Sequence, residues 1–162
     1  MISMEKIEHD VFGELSYDYG WKREITINLF GFERIVTLII DGEEDAEFEE
    51  AQVNAYNSFF RNKDSLLKQA EDAILKYYLE VYMEYRERLG DQFADTMAPV
   101  LSTKEEVAKI TEPKQLLFPM VFDEEVRQVG LLLECTWEPE HGLAVKFEDE
   151  EVIEVGYQDI VL

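Results

Sequence analysis

The chain is short of the residues that make cross-links or carry chemistry. One cysteine, Cys135, and two histidines, His9 and His141, occur in 162 residues. A single thiol excludes an internal disulfide framework and fits a reducing compartment. Cys135 closes the apolar run Leu131-Leu132-Leu133-Glu134-Cys135, so it reads as a buried structural thiol rather than a nucleophile. Bases are scarce as well: 15 Lys and Arg stand against 37 Asp and Glu, for a net charge of −22. Nucleic acid and anionic membranes are disfavoured by such a surface, because both require local positive potential. No apolar run approaches membrane-spanning length, and Met1-Ile2-Ser3-Met4-Glu5-Lys6 lacks the hydrophobic stretch of a secretory signal. The expectation is a cytoplasmic protein. Also missing are a phosphate-cradling glycine loop, a Gly-x-Ser-x-Gly elbow and a His-Glu-x-x-His helix. No residue is therefore assigned a catalytic role, and neither a cofactor nor a metal is expected.

Apolar content is ample. Hydrophobic residues make up 46% of the chain and aromatics 12%, which is enough to fold despite the charge. At this length a single domain, 1–162, can bury a core without disulfides or a structural metal. Between Glu47 and Leu89, the residues Leu67, Ala70, Ile74, Tyr77, Tyr78, Val81 and Tyr85 recur at three- and four-residue steps. That spacing predicts an amphipathic helix, with Gly90 beyond Arg86 and Arg88 as its stop. Asn62-Lys63-Asp64 interrupts the pattern, so the stretch is either two consecutive helices or one kinked helix. Upstream, Trp21, Arg23, Ile25, Ile27 and Leu29 alternate with polar residues, and Glu33 to Ile40 returns as a second strand. Val11 to Tyr17 is a shorter strand broken near Gly13. Ser102 to Glu106 predicts a short capped helix ending before Pro113. Downstream, Leu116–Phe122 and Val126–Trp137 are read as strands joined at Asp123-Glu124-Glu125. Leu143–Phe147 and Val152–Val155 form a last hairpin. Strands, helices, then strands predict an α+β fold: a mainly antiparallel sheet from the N- and C-terminal strands, packed against the central helices.

Two kinds of polar cluster stand out. Trp137-Glu138-Pro139-Glu140-His141-Gly142 sets carboxylates beside a histidine, and such a pair can serve as acid and base or as metal ligands. No second Cys or His lies nearby to complete an ordinary zinc set, and Pro and Gly between two strands are also plain turn chemistry. Trp137, Glu140 and His141 are carried forward as a candidate ligand turn. The acidic runs Glu43-Glu44-Asp45 and Glu148-Asp149-Glu150-Glu151 are the other kind. The first suits a helix start, and the second a solvated hairpin tip. Either suits docking of a basic protein, because opposite potentials accelerate encounter and steer orientation. Solubility alone also accounts for the charge.

The segment Gly130-Leu131-Leu132 … Cys135-Thr136-Trp137-Glu138-Pro139-Glu140-His141-Gly142-Leu143-Ala144-Val145 … Glu154-Val155-Gly156-Tyr157-Gln158-Asp159-Ile160 resembles a group of bacterial domains without an assigned activity. These carry a Trp-Asp-x-Glu-His-Gly turn and end near Val-Gly-x-x-Asp; Glu138 stands where that pattern has Asp. Val11-Phe12-Gly13-Glu14-Leu15 and Gln52 … Ala55-Tyr56 … Phe59 … Asn62 are similar to the same group. Its members resemble proteins encoded near bacterial toxin systems, which implies an immunity role and assigns no catalytic residue. The expected function is thus an acidic binding protein that occludes a cognate basic toxin, a nuclease among the candidates. Contacts are expected at Glu138, Glu140, Glu148, Asp149, Glu150 and Glu151, with Glu43, Glu44 and Asp45 as a second patch. A small-ligand or metal-dependent domain built on Glu140 and His141 is the competing expectation, and a structural or regulatory adaptor is the third.

Overall fold

The alternating segments become one sheet. A computed structural model describes residues 5–45, 47–121 and 125–162. Its strands are β1 (Lys6–His9), β2 (Gly13–Tyr17), β3 (Trp21–Leu29), β4 (Phe32–Ile40), β5 (Thr111–Phe118), β6 (Gln128–Cys135), β7 (Leu143–Glu148) and β8 (Glu151–Gly156). They lie side by side in chain order. Every neighbouring pair is antiparallel except β4 and β5, whose parallel ladder runs from Thr37 opposite Gln115 to Ile40 opposite Phe118. A parallel neighbour requires a crossover. The helices supply it: α1 (Glu50–Arg61), α2 (Lys63–Leu89), α3 (Ala94–Met97) and α4 (Lys104–Ala108). No described helix is long and apolar enough to cross a membrane.

One face of the sheet holds the main core. Ile27, Leu29, Val36, Leu38, Ile40, Leu116, Phe118, Val129, Leu131, Leu133, Val145 and Phe147 meet Phe59, Leu66, Leu67, Ala70, Ile74 and Tyr78 of the helices. The helical stripe predicted from spacing is the buried one, with Leu66 added and Tyr77 and Val81 at its half-buried margin. Asn62 makes the break. Its side-chain Nδ2 donates to Ser58 O at 2.9 Å, closing α1 before α2 begins. The stretch is therefore two consecutive helices. On the opposite face, Ile39, Leu117, Leu132 and Ala144 are covered by Val161, from a 3-10 helix at Gln158–Val161. Gly130 permits that docking: a Cβ there would lie 2.8 Å from the Cβ of Val161.

One strand is added to the sequence reading and two local readings are corrected. Lys6–His9 forms an edge strand that its short, charged sequence did not announce, and His9 Nδ1 accepts the N–H groups of Val11 and Phe12 to shape the turn into β2. Pro113 lies inside β5, which starts at Thr111 rather than Leu116. The register shifts between Pro113 and Gln115, and the ladder to β4 begins only at Gln115. Pro113 thus sits where its missing N–H deprives no partner on that side. Trp137 falls beyond β6, in the turn. Residues 122–124, which the sequence reading gives to a strand end and to most of the turn Asp123-Glu124-Glu125, lie outside the described residues.

Candidate functional site

The turn after β6 is fixed from three directions. Gly142, at φ +66°, lets its N–H reach Glu138 O at 2.9 Å and close the loop. Trp137 is buried against Tyr78, ring centroids 4.8 Å apart at 66°. The Tyr78 hydroxyl donates to Pro99 O at 2.6 Å. From the C-terminal side, Gln158 N–H donates to His141 O at 3.1 Å and Gln158 Nε2 to Leu133 O at 2.9 Å. A Cβ on residue 142 would lie 2.5 Å from that Nε2. Gly142→Ala therefore combines left-handed strain with displacement of a hydrogen-bonded amide. The expected loss is about 2 kcal/mol, read by urea unfolding together with faster amide exchange over Gln158–Val161. Unchanged stability would contradict this docking.

Within the turn, Glu138 is the hub. Its side chain is 13% exposed. Oε2 accepts the Tyr85 hydroxyl at 3.0 Å, and Oε1 lies 3.0 Å from His141 Nδ1. Burial alone would raise the Glu138 carboxyl, but the hydrogen bonds from His141 and Tyr85 outweigh it and hold the group below its ordinary value. Because the one proton of Tyr85 goes to Glu138, Tyr157 donates across the 3.2 Å between the two hydroxyls. Tyr157 also stacks on the His141 ring, centroids 4.8 Å apart and planes within 16°. Burial, then the hydrogen bond Tyr85 donates to Glu138 and the charge of that carboxylate, push Tyr85 well above the usual phenol range, so it remains a donor. Cys135 is buried beneath the turn, its thiol directed at Glu138 O. Burial pushes that thiol up to about 12, so it carries no nucleophile at neutral pH. Sequence reasoning found Trp137, Glu140 and His141 but not Tyr85 or Tyr157. Tyr85 was assigned to the core by helical spacing, and Tyr157 carried no local signal.

The acidic residues regroup. Ile40 pairs with Phe118, Leu117 with Gly130, and Gln128 with Glu148. The loop after β4 and the β7–β8 turn consequently share one end of the sheet, three strand spacings or roughly 14 Å apart. Glu43, Glu44 and Asp45 are exposed there, with Glu47, and Glu50 opens α1 beside them. Asp149 and Glu150, at φ 49° and 65°, form the two-residue turn between β7 and β8. Arg127 holds this tip, bonding both oxygens of Glu150 at 3.0 Å and lying 3.5 Å from Asp149; Ser58 donates to Glu150 from α1. Glu148 pairs with Lys146 at 3.7 Å, while Glu151 is exposed. Glu138 and Glu140 lie at the other end of the sheet, beside the start of β7. The grouping of those two with Glu148–Glu151 is therefore corrected: the hairpin tip joins Glu43–Asp45 instead.

An open cleft of about 500 Å³ lies beside the turn, lined by Arg34, Lys109, Thr111, Glu112, Glu134 and Pro139 among others. It occupies the fork where β4 and β5 have yet to pair. Neither Glu140 nor His141 lines it.

Comparison with known proteins gives a family without an activity. No curated protein and no solved structure matches the chain. The family model described as a domain of unknown function, DUF6985, matches residues 11–162, taking in β2 to β8, both sheet ends and the Trp137–Gly142 turn, and the chain belongs to that family.

Proposed function

We propose that this chain is an acidic binding protein whose loaded sheet end covers a basic surface on a partner protein. One observation carries the reading: acidic runs about a hundred residues apart in sequence are brought to the same end of one sheet. At physiological salt the field of an exposed carboxylate decays over roughly 8 Å, so these charges act on a partner seated against that end. The hairpin tip is held in advance by Arg127 and Ser58, which lowers the ordering cost of docking.

The partner class proposed is a cognate bacterial toxin, of the nuclease kind, whose own basic groove is the surface to be covered. The chain acts in the cytoplasm by occlusion and contributes no catalytic group. Resemblance of the sequence to proteins of toxin loci and the excess of carboxylates support this choice. Co-expression with the product of the adjacent gene tests it. The wild-type chain is expected to restore growth, and a variant carrying Glu43→Gln, Glu44→Gln, Asp45→Asn, Glu148→Gln and Glu151→Gln to fail. Glu80→Gln with Glu87→Gln, two exposed changes on α2, is expected to protect fully. Protection by the five-site variant equal to wild type, or none by wild type, overturns the proposal.

A further inference from the structure

The turn at the other end of the sheet offers a different chemistry. Glu138, Glu140 and His141 present ligand atoms that all lie within 4.8 Å of one another. Two carboxylates and an imidazole make a mixed oxygen and nitrogen donor set. Such a set suits zinc or manganese better than calcium or magnesium, which favour oxygen alone.

Groups outside the turn already aim two of these donors, Glu138 and His141. Tyr85, from α2, holds Glu138 Oε2, and Tyr157, from the chain after β8, stacks on the His141 ring while bonding Tyr85. This is the arrangement by which outer-shell partners orient metal ligands. The spacing of the two oriented donors fits as well. Two ligands each about 2.1 Å from an ion, at right angles to one another, stand about 3 Å apart; Glu138 Oε1 and His141 Nδ1 are 3.0 Å apart. An ion can take the place of the proton between them with little movement of either side chain. Glu140 and His141 are exposed, so water can fill the remaining coordination positions. A coordination sphere completed by water is open, unlike a closed structural tetrahedron. The negative field of the whole chain adds to the attraction.

We infer that Glu138, Glu140 and His141 bind one divalent transition-metal cation, with Tyr85 and Tyr157 as positioning residues. The inference stands apart from the acidic sheet end and does not depend on any partner.

Calorimetric titration of chelator-treated protein with zinc chloride, manganese chloride and magnesium chloride tests it. One zinc or manganese ion per chain is expected to bind, with magnesium at least 10-fold weaker. His141→Ala and Glu140→Gln, both exposed changes, are each expected to weaken binding 10-fold or more. Tyr85→Phe keeps the ring, removes the hydroxyl that orients Glu138, and is expected to weaken it about 10-fold. Glu87→Gln serves as the control and is expected to leave the titration unchanged. The His141 ring resonances, followed by NMR in the same titration, are expected to shift or broaden at one equivalent. No saturable binding, or affinity equal in wild type and His141→Ala, overturns the inference.

Discussion

Trp137→Ala is expected to remove about 3–5 kcal/mol of stability, the range for deleting a buried aromatic side chain. Trp137 is 3% exposed and packs edge-on against Tyr78, itself fully buried. It therefore ties the turn after β6 to the middle of α2, and through the Tyr78 hydroxyl to Pro99 in the stretch between α3 and α4. Alanine leaves a hole bordered by a rigid helix and a turn already fixed by Gly142 and Gln158, so little can move in to fill it. For a chain of this size, about 2–4 °C of melting temperature is lost per kcal/mol, giving a decrease on the order of 10 °C. Trp137→Phe retains part of the ring contact and is expected to lose less. Thermal and urea unfolding of both variants are the measurements. A loss under about 1 kcal/mol for alanine would show that the turn is not anchored through this ring.

Gln52→Leu is the second large effect, arising from polarity rather than volume. Gln52 is 1% exposed, near the start of α1. Its Oε1 accepts Glu49 N–H at 3.0 Å; its Nε2 donates to Asp41 O at 2.7 Å and to Phe118 O at 3.1 Å. One amide thus fastens the helix start to the C-terminal ends of both parallel strands. Leucine preserves the bulk and leaves Glu49 N–H and Asp41 O without these partners, while Phe118 O keeps the Asp41 N–H at 3.0 Å. Each stranded group costs about 1–3 kcal/mol, so a total of roughly 2–6 kcal/mol is expected from urea unfolding. Faster amide exchange should be centred on β4 and β5. Because Asp41 leads directly into Glu43–Asp45, the same variant is expected to loosen the acidic end. Stability within 1 kcal/mol of wild type would mean that water replaces the amide there.

The parts of the fold legible in advance were those written in local period. Leu67, Ala70, Ile74 and Tyr78 define a helix face by spacing alone, and the alternation from Trp21 to Leu29 defines a strand. Asn62 marked the break because its side chain competes for backbone groups wherever it stands. The parallel pairing of β4 with β5 was not legible, since it joins segments separated by four helices. Pro113 obscured β5 because its position opposite an unpaired stretch of β4 is a fact of topology. The candidate site follows the same division. Trp137, Glu140 and His141 lie together in sequence and were found together. Tyr85 reaches Glu138 across 53 residues, and nothing near either position announces it. The acidic patches were seen but grouped wrongly, because only strand order places Glu43–Asp45 beside Glu148–Glu151.

The most direct test of the acidic end as a docking surface is the salt dependence of its affinity for the adjacent gene's product. Wild-type chain and the five-site variant at Glu43, Glu44, Asp45, Glu148 and Glu151 would be titrated from about 50 to 500 mM salt, a range over which screening shortens markedly. Wild-type affinity is expected to fall steeply across that range, and the variant to bind at least 10-fold more weakly at low salt with a much flatter slope. Equal affinities and equal slopes would contradict the proposal that this end of the sheet meets a basic partner.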